Sequence, residues 1–102
     1  MTIFEVLQQS NLPCAYSHFT EKDSPQAPPY IVYLGEGQDT FEADNTHYYT
    51  RNRYRVEYYF TQKSEVNEAI IENLLLDNGY LYEKSEDVYI EEEGVFVIYY
   101  TI

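Results

Sequence analysis

The segment Arg51-Asn52-Arg53-Tyr54-Arg55-Val56-Glu57-Tyr58-Tyr59-Phe60 alternates with a period of two. Tyr54, Val56, Tyr58 and Phe60 fall on one face, while Arg51, Arg53, Arg55, Glu57 and Tyr59 fall on the other. That is the pattern of a strand with one side against a core. We take it as the central strand. Ser64 follows as a helix N-cap, and the spacing predicts a helix over 65–77, ended by Asn78-Gly79. Val66, Ile70, Ile71 and Leu74 form its expected core face, and Leu75 and Leu76 spread beyond it. A helix apolar over so much of its circumference buries two sides, here the sheet and either a first helix or a neighbouring subunit.

Toward the N-terminus, Thr2-Ile3-Phe4-Glu5 reads as a capping box that opens a short helix over 3–10, ended by Asn11-Leu12-Pro13. A short strand is expected within 14–19. Residues 20–29 hold three of the four prolines and read as a loop. Tyr30 to Leu34 is a buried strand closed by Gly35-Glu36-Gly37, and 38–47 reads as an ordered loop or short edge strand. Toward the C-terminus, Tyr80 to Glu83 is strand-like, and Asp87 to Glu91 with Val95 to Ile102 forms a hairpin turning at Glu92-Glu93-Gly94. The economical architecture is one α+β domain over 1–102, with a single mostly antiparallel sheet flanked by two helices.

Composition limits the function. The chain of 102 residues carries 18 acidic and 6 basic side chains, a formal net charge of −12. Binding nucleic acid through its phosphates requires lysine and arginine in excess, so neither general nor sequence-specific nucleic-acid binding is expected. With 44% hydrophobic residues, 18% of the chain aromatic, the sequence is one that folds. Thirteen tyrosines suggest surface that becomes covered in an assembly, because the ring buries well and the hydroxyl tolerates water. Cys14 has no partner cysteine, the N-terminal residues lack a signal-peptide pattern, and no apolar run approaches the ~20 residues that span a bilayer. A reducing cytosol and no membrane are expected.

No catalytic signature emerges. Cys14 and His18 share a strand face but sit ~13 Å apart along it, and His47 is remote in sequence. Asp39, Glu42 and Asp44 lack the alternate oxygens and the glycine of a calcium loop. One cysteine and two scattered histidines make no zinc site, and Gly35-Glu36-Gly37 lacks the lysine of a phosphate loop. No catalytic residue, metal or cofactor is expected. Six acids between 83 and 93, Glu91, Glu92 and Glu93 among them, read first as a solvated surface. Arg51, Arg53 and Arg55 hold half the basic charge on one strand face, which calls for compensating carboxylates. Glu57 and neighbouring strands can supply them; alternatively, the acidic turn of the next subunit does so in a closed head-to-tail ring.

The ordered series Leu12-Pro13, Ala15-Tyr16, His18-Phe19, Pro29-Tyr30-Ile31-Val32-Tyr33, Phe41 and Ala43-Asp44-Asn45 continues with Tyr54-Arg55-Val56-Glu57-Tyr58-Tyr59. Ile70-Ile71-Glu72 with Leu74, Tyr89-Ile90 and a last aromatic strand complete it. Over nearly the whole chain this series resembles small virion proteins of tailed phages and prophages of Gram-positive bacteria, of the tail-terminator or tail-completion type. The resemblance implies an α+β protein without catalytic activity. It implies a ring, a hexamer, at the head-proximal end of a non-contractile tail, with the tail tube protein and a head-side neck protein as partners. The location implied is the virion, and the host cytoplasm before assembly. In such a ring the interface candidates are Arg51, Arg53, Arg55, Leu75, Leu76, Glu91, Glu92 and Glu93. Glu36, Asp39, Glu42 and Asp44 are candidates for lining a channel whose negative wall keeps DNA from sticking. The alternative is an acidic phage-encoded mimic of DNA that inhibits a host DNA-processing enzyme.

Overall fold

The computed structural model describes residues 2–19, 27–43 and 47–102. Its elements run α1 (Ile3–Gln8), β1 (Cys14–Tyr16), β2 (Tyr30–Ala43), β3 (His47–Phe60), α2 (Glu65–Asp77), β4 (Glu83–Lys84), β5 (Val88–Ile90) and β6 (Val95–Thr101). The six strands form one sheet in the order β1-β2-β3-β6-β4, and β5 also pairs with β6. All described pairings are antiparallel except β1 with β2. The fold is therefore α+β with a mixed sheet, in which the parallel β1 departs from the antiparallel rule.

β3 is central, as its alternation requires. Val56, Tyr58 and Phe60 pair with Tyr100, Ile98 and Phe96 of β6 and turn one face of the sheet into the core. Ile3 and Leu7 of α1 and Ile71 and Leu75 of α2 close over that face. The Thr2–Glu5 capping box forms, with the Glu5 amide donating to Thr2 Oγ1 at 3.2 Å. Ser64 caps α2 by accepting from the Asn67 amide at 3.2 Å, so Ser64→Ala is expected to lower unfolding free energy by ~1 kcal/mol, read from a urea titration. The turn over 91–94 joins β5 to β6, with the Gly94 amide donating to the Ile90 carbonyl.

Two expectations need correction. Gly35-Glu36-Gly37 does not end the second strand, and residues 38–43 are not a loop. β2 instead continues to Ala43, with a register shift between Gly35 and Gln38. Such a bulge places extra residues in one strand and bends it, and Gly37 supplies the left-handed backbone (φ 87°) that this needs. Beyond the bulge, β2 and β3 pair, among the described residues, only with each other, as far as Ala43 opposite His47. They form a two-stranded arm. The arm accounts for extents of 50 × 29 × 26 Å and a radius of gyration of 15.1 Å, against ~13 Å for a compact chain of this length.

The second correction concerns α2. Val66 (72% exposed) and Ile70 point outward, whereas Glu68, Ile71 and Leu75 face the sheet. The buried face is thus rotated away from the one that hydropathy selects. Many tyrosines also serve the interior and not an assembly surface: Tyr58 and Tyr100 are fully buried, and Tyr33, Tyr54, Tyr80 and Tyr82 pack around the core.

Candidate functional site

Two polar constructions stand out. The first lies between α2 and the sheet. Glu68 is nearly buried, and Lys63 Nζ and Lys84 Nζ reach its carboxylate at 2.8 and 2.9 Å. Lys84 also meets Glu72 at 2.9 Å, and Lys63 meets Asp87 at 3.0 Å. Tyr82 Oη and Tyr100 Oη donate to Glu72 at 3.1 and 2.8 Å, and Asn67 donates to Tyr58 Oη at 3.3 Å. A carboxylate with this many donors can sit on a core face, where an unpaired one would be too costly. This is why Glu68 displaces Val66 and Ile70 from the sheet side. The cluster is a clamp that ties the segment around Lys84 and Asp87 onto α2.

The clamp sets a pH dependence. Burial raises the Glu72 carboxyl, but Lys84, Tyr100 and Tyr82 outweigh it and hold the group below its ordinary value of 4.5. Burial opposes the charge on Lys84, yet Glu72 and Glu68 hold the ammonium above its ordinary 10.5. The lowered carboxyl contributes stability above 4.5 that is lost as pH falls through its folded value. The raised ammonium contributes stability below 10.5 that is lost as pH rises through its folded value. Melting temperature should therefore be flat across this cluster's window, about pH 5 to 10, and fall in acid. Glu72→Gln should lower the plateau and flatten the acid limb in a calorimetric pH series.

The second construction is the arginine row on the opposite face of β3. Arg55 Nε donates to Glu57 Oε2 at 2.8 Å, and Arg55 Nη1 donates to Glu36 Oε1 at 3.2 Å. Tyr59 Oη donates to the other Glu57 oxygen at 2.7 Å, which completes a carboxylate only 6% exposed. Arg53 Nε lies 3.6 Å from Asp39 Oδ2. Arg51, opposite Asp39 in the ladder, is exposed and makes no ion pair among the described residues. The compensation of the row is thus largely internal: Glu57 and Glu36 serve Arg55, and Asp39 serves Arg53. Glu36 and Asp39, expected to line a channel, are matched to arginines. Asp44 lies outside the described residues, and for Glu42 only the backbone is described.

Leu75 is fully buried in its own core and offers no surface to a neighbour, whereas Leu76 is 47% exposed. Glu91, Glu92 and Glu93 are exposed on the β5–β6 turn. This turn and the arm lie at opposite ends of β6, ~20 Å apart by strand rise, so one chain's arginines do not meet its own acidic turn. The thiol and histidine do not form a dyad: His18 Nδ1 pairs with Ser17 Oγ at 3.2 Å, and burial pushes the Cys14 thiol up to about 11. The His47 side chain is outside the description. Among the described residues, no group of His, Cys, Asp or Glu is arranged to hold a metal ion, and no helix is long and apolar enough to cross a membrane. No family model and no curated protein matches the chain.

Proposed function

We propose that this protein is a structural, non-catalytic component of a tailed-phage virion, closing into a ring at the head-proximal end of the tail between the tube and a neck protein. The observation that carries this reading is the arm. Beyond the bulge its strands pair, among the described residues, only with each other, and an isolated two-stranded hairpin is marginal in water. Such an arm gains stability when a neighbour completes it. The exposed Arg51 on the arm and the acidic turn at the far end of β6 are unlike surfaces on opposite ends of one sheet, as a heterologous ring contact requires. The charge of −12 leaves ample acid for a channel wall that repels DNA.

Light scattering over a concentration series, alone and with the tube protein, tests the reading. A ring-sized species under either condition supports it. A monomer or dimer that ignores the tube protein and binds a DNA-processing enzyme tightly would replace it with the DNA-mimic alternative.

A further inference from the structure

α2 presents to solvent a stripe that its buried side does not require. Val66, Ala69, Asn73 and Leu76 recur at spacings of three and four residues, with Ile70 beside them, and all five are exposed. The ion pairs of Glu68 with Lys63 and Lys84 account for the orientation of the helix. They do not account for apolar residues at 66, 69, 70 and 76, none of which belongs to the core cluster. A helix face in water ordinarily carries charge, and four apolar residues along ~15 Å of one face form a seam.

Numbered as a heptad, Val66 and Asn73 take the a positions and Ala69 and Leu76 the d positions. Glu65 and Glu72 then flank the seam on one side, Ile70 and Asp77 on the other. No basic residue lies on the helix. Glu65 and Asp77 make no ion pair among the described residues. Asp77 also sits in the last turn, where the helix dipole is already negative. Taken with every group ion-paired to it, α2 sets five acids, Glu65, Glu68, Glu72, Asp77 and Asp87, against two bases, Lys63 and Lys84, a net charge of −3. The arginines of the arm do not cancel it, because Arg53 is paired with Asp39 and Arg51 lines a cavity together with Glu83.

We infer that the outer face of α2 is the docking site for an amphipathic helix of another protein, one with an apolar seam and lysine or arginine on its flanks. The seam supplies apolar burial, Asn73 sets the register, and the acidic flanks select the charge. A second copy does not match this face. Parallel pairing of two α2 helices sets Glu72 of one against Asp77 of the other, and antiparallel pairing sets the Glu65–Glu72 flank against itself. Elsewhere on the described chain, Arg53, Arg55, Lys63 and Lys84 are paired with carboxylates of their own chain, and Arg51 stands between the polar Thr50 and Asn52. None of these offers an apolar stripe flanked by free bases. Neither the arm nor the ring enters this assignment.

The test uses the full chain and two peptides of ~20 residues, long enough to hold a helix. They share one leucine–alanine seam and differ only in carrying lysine or glutamate at every flanking position, so like charges keep each peptide from pairing with itself. Calorimetric titration measures affinity, and amide NMR locates the contact. The lysine peptide should bind and shift the amides of residues 65–77, and the glutamate peptide should bind at least about tenfold more weakly. Val66→Ser should weaken both peptides. Glu65→Lys combined with Asp77→Lys should weaken the lysine peptide by about tenfold or more and strengthen the glutamate peptide, an exchange of preference that a merely apolar surface would not show. Absence of binding by the lysine peptide overturns the assignment, as do equal binding of the two peptides and shifts confined to residues outside α2. Shifts in residues 65–77 that grow with protein concentration in the absence of peptide would give the face to a second copy and overturn the proposed partner.

Discussion

Leu75→Ala is expected to lower unfolding free energy by about 2 to 5 kcal/mol, while Leu76→Ala changes it by less than about 0.5 kcal/mol. The two leucines are adjacent in sequence and equal in hydropathy. Leu75 is fully buried between α1, α2 and the core face of β3 and β6, in the cluster that holds Leu7, Val56, Tyr58, Ile98 and Tyr100. Truncation there removes the transfer free energy of the lost methyl groups and leaves a cavity that a packed core only partly closes. Leu76 faces outward at 47% exposure. For a domain whose total stability is on the order of 5 to 15 kcal/mol, the Leu75 loss is a large fraction. At ~4 °C or more per kcal/mol it should lower the melting temperature by roughly 10 °C or more. Urea titration of both variants, with the slope checked for constancy, measures the difference. Equal effects would mean that α2 is rotated from the orientation described.

The contrast also shows where the sequence was readable. The alternation over 51–60, the Thr2 and Ser64 caps, the 65–77 helix and the terminal hairpin could each be read, because each rests on local stereochemistry: a period, a cap or a glycine in a turn. What failed depended on partners distant in the chain. The face of α2 is set by Lys63 and Lys84, whose ammonium groups make it favourable to bury Glu68 and leave Val66 in water. No hydropathy projection contains that term. The arm was hidden for a related reason. Gln38, Asp39 and Thr40 face Asn52, Arg51 and Thr50, so the stretch just past the bulge is polar in both strands and no apolar period leads into the arm. Gly35 and Gly37 then read as an end where the structure has a bulge. One signal did point the other way: a strand as long and regular as 47–60 needs an equally long partner, and only the stretch after Tyr30 lies close enough to provide it. For the arginine row, the choice between partners within the chain and partners in a neighbour was open in the sequence. The bulge decides most of it, because it brings Glu36 within 3.2 Å of Arg55.

Removing the arm should separate folding from assembly. Gly35 and Tyr54 are directly opposed in the ladder, so joining them through a two-residue Asn-Gly turn gives a hairpin connection of favoured geometry and deletes residues 36–53. Every residue of the core cluster lies outside the deletion. Among the ion pairs it removes are those of Arg55 with Glu36 and Arg53 with Asp39, both on groups about a third exposed and worth little to stability. The shorter loop also costs less entropy to close. The variant should therefore unfold cooperatively, with a melting temperature within about 5 °C of the parent. Its assembly should behave differently. If neighbouring subunits grip one another through the arm, the deletion takes away both the projecting ladder and two of the three arginines, and ring-sized species should vanish at every concentration, with or without the tube protein. Calorimetry and light scattering on one preparation read the two quantities together. A folded variant that still forms rings would place the subunit contact on the exposed face of α2 or on the tyrosines of the outer sheet face and detach the arm from the ring. An unfolded variant would show instead that the arm supports the sheet it leaves, and that its marginal appearance in isolation is misleading.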